Sequence, residues 1–162
     1  MSLIIEDGTN VSGANSFASI SEFVAYATSK GKIFSGDSEQ PFELEAALVR
    51  GALFLDKFDF IGDKVNPLQS LSWPRKNGVV GDYSVPSTLI PEQIKKANME
   101  AALIALKHDM LKATDGKKIT SEKVPGVIEK SFSENQGSFK APSVELILKP
   151  LLKPVSFNVV RA

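Results

Sequence analysis

The 162-residue sequence contains no cysteine and a single histidine, His108. Without thiols there is no disulfide framework, no thiolate nucleophile and no Cys-based zinc or iron–sulfur site. One imidazole cannot form a His-based acid/base pair and removes most metal sites. No apolar run approaches the ~18 residues that span a bilayer. The opening MSLIIEDGTN also lacks the basic region of a signal peptide, so a soluble chain with no membrane partner is expected. Neither sign of charge is in excess: 19 Lys and Arg balance 19 Asp and Glu. Domains whose main work is neutralising a nucleic-acid backbone are usually visibly basic, and this one is not.

What is present is an ordinary globular composition, 43% hydrophobic and 23% charged, which argues against disorder. A chain of this length buries roughly two-thirds of its surface on folding and needs no staples. The zero net charge is a sum of unequal halves. Residues 1–90 carry seven basic and eleven acidic side chains, and residues 91–162 carry twelve and eight. No linker-like stretch separates the halves.

Hydrophobic spacing predicts four helices. Ser19 and Glu22 form a capping box ahead of Ile20, Phe23, Val24 and Ala27, with Gly31 as the stop, giving a helix over about 20–30. Leu44, Ala47, Leu48, Gly51, Leu55 and Phe58 share one face of a helix over 42–58. Gly51 costs that helix about 1 kcal/mol relative to Ala, which is reasonable if another backbone passes close. Val49 and Leu53 lie on the opposite side, as surface apolar residues or a subunit contact. The helix from Pro91 to about Leu111 has an alanine-rich stripe (Ala97, Ala101, Ala105) and a second stripe of Met99, Leu103, Leu106 and Met110. A helix apolar on two sides belongs at the centre of the domain, with Gly51 as its natural neighbour.

Between them, residues 61–90 are turn-rich, and an ordered connection of that length is functional or carries short elements of its own. The spacing switches to two around Pro125-Gly126, predicting a hairpin over 118–133. A short helix near Pro142–Lys149 turns Val144, Ile147 and Leu148 inward. The expected fold class is therefore mainly α: a small bundle of about four helices with a β-hairpin and an extended C-terminal tail. Residues 1–154 form the helical domain and 155–162 the tail.

Catalytic parts are scarce. Gly8 and Gly13 have the spacing of a phosphate loop, but Ala14 and Asn15 stand where such a loop carries Lys and Ser or Thr. They read as a loop before the first helix. His108 reads as a partly buried helix-end residue. Asp56, Asp59 and Asp63 are close enough in sequence to suggest a divalent ion, yet no calcium-loop pattern follows, and a solvated helix end explains them as well. No enzyme is expected, and no catalytic, cofactor or metal residue is assigned. Single-strand binding needs aromatics on a basic face. The Phe residues fall mostly at helix-core spacing, and the best basic cluster is Lys117, Lys118, Lys123 and Lys130 around the predicted hairpin.

Four segments in order carry a resemblance: ANSFASISEFVAYATSKG (14–31), ALVRGALFLD (47–56), LQSLSWPR (68–75) and IPEQIKKANMEAALIAL (90–106). Together they resemble the head–tail connector (adaptor or head-completion) family of tailed phages, also named for a DnaT-like single-stranded-DNA-binding domain. The resemblance implies a structural virion protein in the phage neck, assembled in the host cytoplasm as a ring beneath the portal, twelve-fold by analogy. Its implied partners are copies of itself, the portal, tail or further neck proteins, and passing genomic DNA without sequence specificity. Candidate interface residues are Trp73, Arg75, Lys118, Lys123, Lys130, Val155, Phe157, Val159, Val160 and Arg161. Trp73 has a competing reading as a core plug beside a solvated Arg75. The alternative function is a single-stranded-DNA-binding accessory protein.

Overall fold

A computed structural model of the chain describes residues 2–34, 41–108, 110, 118–119, 132–133 and 139–154. Four α-helices dominate: α1 (Ile20–Ser29), α2 (Pro41–Leu55), α3 (Glu92–Ala105) and α4 (Pro142–Leu148), the last continuing into a 3-10 turn, η1 (Lys149–Leu151). Strands are two or three residues long: β1 (Asp63–Lys64), β2 (Arg75–Lys76), β3 (Gly78–Val80), β4 (Tyr83–Val85), β5 (Lys118–Ile119) and β6 (Phe132–Ser133). They pair antiparallel as β1–β2, β3–β4 and β5–β6. The mainly helical fold class is as expected, and β5–β6 pairs the two ends of the predicted 118–133 hairpin.

The capping box forms as the sequence predicts. Ser19 Oγ accepts from the Glu22 N–H at 3.2 Å, and the Glu22 carboxylate accepts from the Ser19 N–H at 2.8 Å. These two bonds satisfy donors that a helix start leaves open. Backbone donation from Ser19 is the main reason the Glu22 carboxyl lies below its ordinary range.

The central contact joins α2 to α3, and Gly51 makes it possible. A Cβ at position 51 would sit 2.8 Å from the Asn98 carbonyl oxygen and 3.0 Å from the Ala102 nitrogen. Ala97, Ala101, Ala102 and Ala105 supply the matching small residues of α3, all at most 4% exposed. Asn98 lies in this seam, fully buried. Its Nδ2 donates to the Leu48 carbonyl of α2 at 2.9 Å, while Oδ1 accepts from the Phe17 N–H at 2.9 Å and from Ser16 Oγ at 3.0 Å. One amide thus ties α3 to α2 and to the segment before α1. A buried polar group satisfied this fully holds its neighbours in a single arrangement.

On the far side of α3, α4 inserts Val144 and Leu148, both fully buried. Tyr26 of α1 donates to Glu100 of α3 at 2.7 Å. That hydrogen bond comes second to burial in raising the tyrosine's pKa above its ordinary value.

Two helices end earlier than their spacing predicts. Apolar residues continue past Leu55 and Ala105, but the chain turns at Asp56–Lys57 and at Leu106–Lys107. Phe58 still packs on the core from outside the helix, with its ring 5.7 Å from Phe54. Apolar spacing reports burial, and a turn can supply burial as well as a helix can. His108 is a correction: it is exposed, with its ring 6.1 Å from Phe139. The tail at 155–162 lies outside the described residues.

Candidate nucleic-acid interface

The connection from 61 to 90 folds into two small ribbons, and Trp73 is their foundation. Its side chain is fully buried, with the indole set edge-on to Phe60 at 6.1 Å. Gly78 has no side chain because one would meet the indole at 2.9 Å. Trp73 is therefore the core plug of its competing reading and presents no side chain for a surface contact. The peptide bond to Pro74 is cis.

Arg75 is not solvated either. Its Nε donates to the Ile61 carbonyl at 3.1 Å, Nη1 to Ser72 at 3.1 Å, and Nη2 to Phe60 at 3.4 Å and to Gly62. One planar fork holds four carbonyls, a task for which an ammonium has the wrong shape. Burial draws the guanidinium's pKa below its ordinary value, opposed by Asp63 and Asp59. The effect is to lock β1 and β2 in register, with Asp63 opposite Lys76 and Lys64 opposite Arg75.

The chain after α4 returns along this edge. The Ile61 N–H donates to the Leu151 carbonyl and the Lys153 N–H to the Asp59 carbonyl, each at 2.9 Å. This pairing brings Lys153 to a recess of about 260 Å³ lined by Asp56, Phe58, Asp59, Phe60, Lys64, Ser72, Arg75 and Lys153. Three cationic side chains face two carboxylates, leaving the recess one positive charge in excess. Asp56 accepts the Ser72 N–H at 2.9 Å. Desolvation in this recess raises its carboxyl pKa above the ordinary value, against the opposing pull of Ser72 and Lys64.

Beyond the recess, the β3–β4 ribbon turns at Gly81-Asp82 and carries Tyr83, which is 81% exposed. β3 packs against η1, which places Lys149 next to the same ribbon. Exposed Lys64, Lys76, Lys149 and Lys153, interspersed with exposed Asp59, Asp63 and Asp82, and an exposed tyrosine make a surface of mixed charge with one aromatic. Such a surface can hold phosphates and offer a base a face to stack on.

The other candidates separate. Asp56, Asp59 and Asp63 do not converge: among the described residues no three His, Cys, Asp or Glu side chains come together to hold a metal. The Gly8–Gly13 loop does wrap an anion, but the anion is the chain's own Glu6. That carboxylate is 1% exposed and accepts the N–H groups of Gly8, Asn10 and Val11, each at 2.9 Å. Gly8, at φ +106°, packs on the Thr88 carbonyl, where a side chain would collide. The backbone donors that a phosphate would need are already taken.

Lys118 lies in β5, while Lys123, Lys130, Val155, Phe157, Val159, Val160 and Arg161 lie outside the described residues. Spacing missed Lys64, Lys153 and Tyr83. The two lysines are far apart in sequence and meet only through the return of the chain after α4, which no local pattern records. Tyr83 had a signal, an aromatic beside Gly81-Asp82 in a turn-rich stretch, where core packing is least expected.

No curated protein and no solved structure matches this chain. One family model matches it over residues 1–162. The chain belongs to the family described as "Putative DnaT-like ssDNA binding protein".

Proposed function

We propose that the protein binds single-stranded DNA without catalysis, through the face built by β1–β2, β3–β4 and the segment after α4. The observation that carries this reading is the family match across the whole chain. The local surface supports it: Lys64 and Lys76 are exposed on the β1–β2 ribbon, Lys149 and Lys153 are exposed at the end of the segment after α4, and Tyr83 is exposed on the β3–β4 ribbon. Net charge opposes tight binding, so the affinity rests on a few phosphate contacts plus stacking and is modest. Base–aromatic stacking contributes about 1–3 kcal/mol per base, and Tyr83→Ala is expected to weaken binding about ten-fold. Fluorescence anisotropy with a labelled oligonucleotide measures this, with the same sequence as a duplex for comparison. Equal affinity for single strand and duplex, unaffected by Tyr83→Ala, would refute the stacking role.

A second reading is favoured by a different observation. Phe42, Leu53, Leu68 and Leu146 are 50–89% exposed, large apolar side chains that a subunit contact would cover. A ring-forming head–tail connector, as the segment resemblance implies, would cover such residues against neighbouring subunits, the portal or tail proteins. Closed rings use heterologous contacts, which do not require any one surface to match itself. Native mass spectrometry with and without portal protein tests it: a subunit that never assembles would eliminate this reading and leave the first untouched.

A further inference from the structure

The recess beside Arg75 holds an arrangement that phosphate binding alone does not explain. Successive side chains of a strand point to opposite faces, and cross-strand partners share one. Lys64 and Arg75, opposite each other, line the recess, while Asp63 and Lys76, also opposite each other, turn away from it. The Arg75 guanidinium is engaged by four backbone carbonyls. That leaves Lys64 and Lys153 as the available cations, and among the described residues neither ammonium is within ion-pair distance of a carboxylate.

Asp56 and Asp59 line the same recess. The Ser72 N–H holds one carboxylate oxygen of Asp56 at 2.9 Å. Asp59 is exposed, and among the described residues neither of its carboxylate oxygens accepts a hydrogen bond. Ser72 is 4% exposed, and its hydroxyl has no hydrogen-bond partner among the described residues. Two carboxylates set among the cations repel a nucleic-acid backbone. A strand that enters here has to bring hydrogen-bond donors, and away from its ends a DNA strand carries donors only on its bases.

We infer that the recess holds the edge of one unstacked base, guanine in preference to the others, with Lys64 and Lys153 on neighbouring phosphates. The inference rests on the single-strand reading above and names the base that the site selects. On the Watson–Crick edge, guanine presents two adjacent donors, N1–H and the N2 amino group, which match the two oxygens of one carboxylate. Asp59 has both oxygens available for them. The other three bases set an acceptor beside a donor on that edge, and the second carboxylate oxygen repels it. In a duplex the same edge is paired, so the recess also selects single strands. A volume of about 260 Å³ lies below the range of about 300–1,000 Å³ that takes drug-sized ligands, which suits one base and not a run of them. Half-buried Phe58 gives the ring an apolar wall.

Labelled oligo(dT) strands, unchanged or with one central dG or dI, test this by fluorescence anisotropy at low salt. The wild-type protein is expected to bind the dG strand about ten-fold tighter than all-dT, and dI, which lacks the N2 amino group, loses most of that gain. Asp59→Asn is expected to abolish the dG preference. Asp82→Asn removes the same charge from the β3–β4 turn, outside the recess, and is expected to keep it. Equal binding of the dG, dI and all-dT strands would overturn the inference and leave the single-strand reading standing; no binding of any strand would overturn both. A dG preference that Asp59→Asn retains would also overturn it.

Discussion

At position 51 two residue-scale effects compete. Replacing glycine by alanine inside a helix is worth about 1 kcal/mol of helix propensity. Against this, the added methyl would lie 2.8 Å from one backbone oxygen of α3 and 3.0 Å from a backbone nitrogen, neither of which can rotate away. Overpacking of that kind costs about 1–3 kcal/mol. Gly51→Ala is therefore expected to be net destabilising by up to about 2 kcal/mol in urea unfolding; a stabilised variant would mean that α2 and α3 can part freely. This contact was legible in the sequence because a glycine in mid-helix is destabilising and the alanine stripe of α3 offered a reason for it. Its neighbour Asn98 was not legible. An asparagine in a helix pattern gives no sign that its amide will bond Leu48, Phe17 and Ser16, because those partners come from elsewhere in the chain. Trp73 and Arg75 show a third case: the segment was conspicuous, but the pattern could not tell a buried clamp from a surface anchor.

Helix α1 is the element with the clearest local code, and its pH response follows from that code. The Glu22 carboxyl lies below its ordinary value of 4.5, held there chiefly by the Ser19 N–H and opposed by burial. A carboxyl depressed in the folded state adds stability above its unfolded pKa, and that stability is lost as pH falls through the folded value. Glu22→Gln is thus expected to flatten the acid limb of the stability curve below about pH 4.5. Ser19→Ala, which removes the cap acceptor, is expected to cost about 1 kcal/mol at neutral pH. Thermal melts across pH measure both; an unchanged acid limb in Glu22→Gln would contradict the capping account. Local codes of this kind made the helices visible, apart from ends where apolar residues continue into turns. The strands left weaker traces. Two-residue strands such as β1 and β2 have no period to read, and what fixes them is the Arg75 fork and the Trp73 plug, whose partners no local spacing records.

For the molecule as a whole, the balance of charge takes on a different meaning once the chain is folded. The acidic first half and basic second half interleave in space: Lys95 lies 3.6 Å from Glu22, and Lys30 lies 3.4 Å from Glu100. The Lys95–Glu22 pair absorbs part of the sequence-level asymmetry, and the surface property that matters is local. Lys64, Arg75 and Lys153 at one recess, with Lys76 and Lys149 near by, are set among Asp56, Asp59, Asp63 and Asp82, so that edge carries only about one positive charge in excess. With few phosphate contacts, the proposed binding would be weak at physiological salt, and its response to added salt would be set by the number of those contacts. Each phosphate neutralised on a single strand contributes about 0.7 to the slope of log K against log salt. The most direct test is a salt titration of oligonucleotide binding for the wild-type protein and for the Lys64→Ala/Lys153→Ala double variant. The account predicts binding at low salt and a slope shallower by about 1.4 in the double variant. No binding at low salt, or a slope the double variant leaves unchanged, would contradict it.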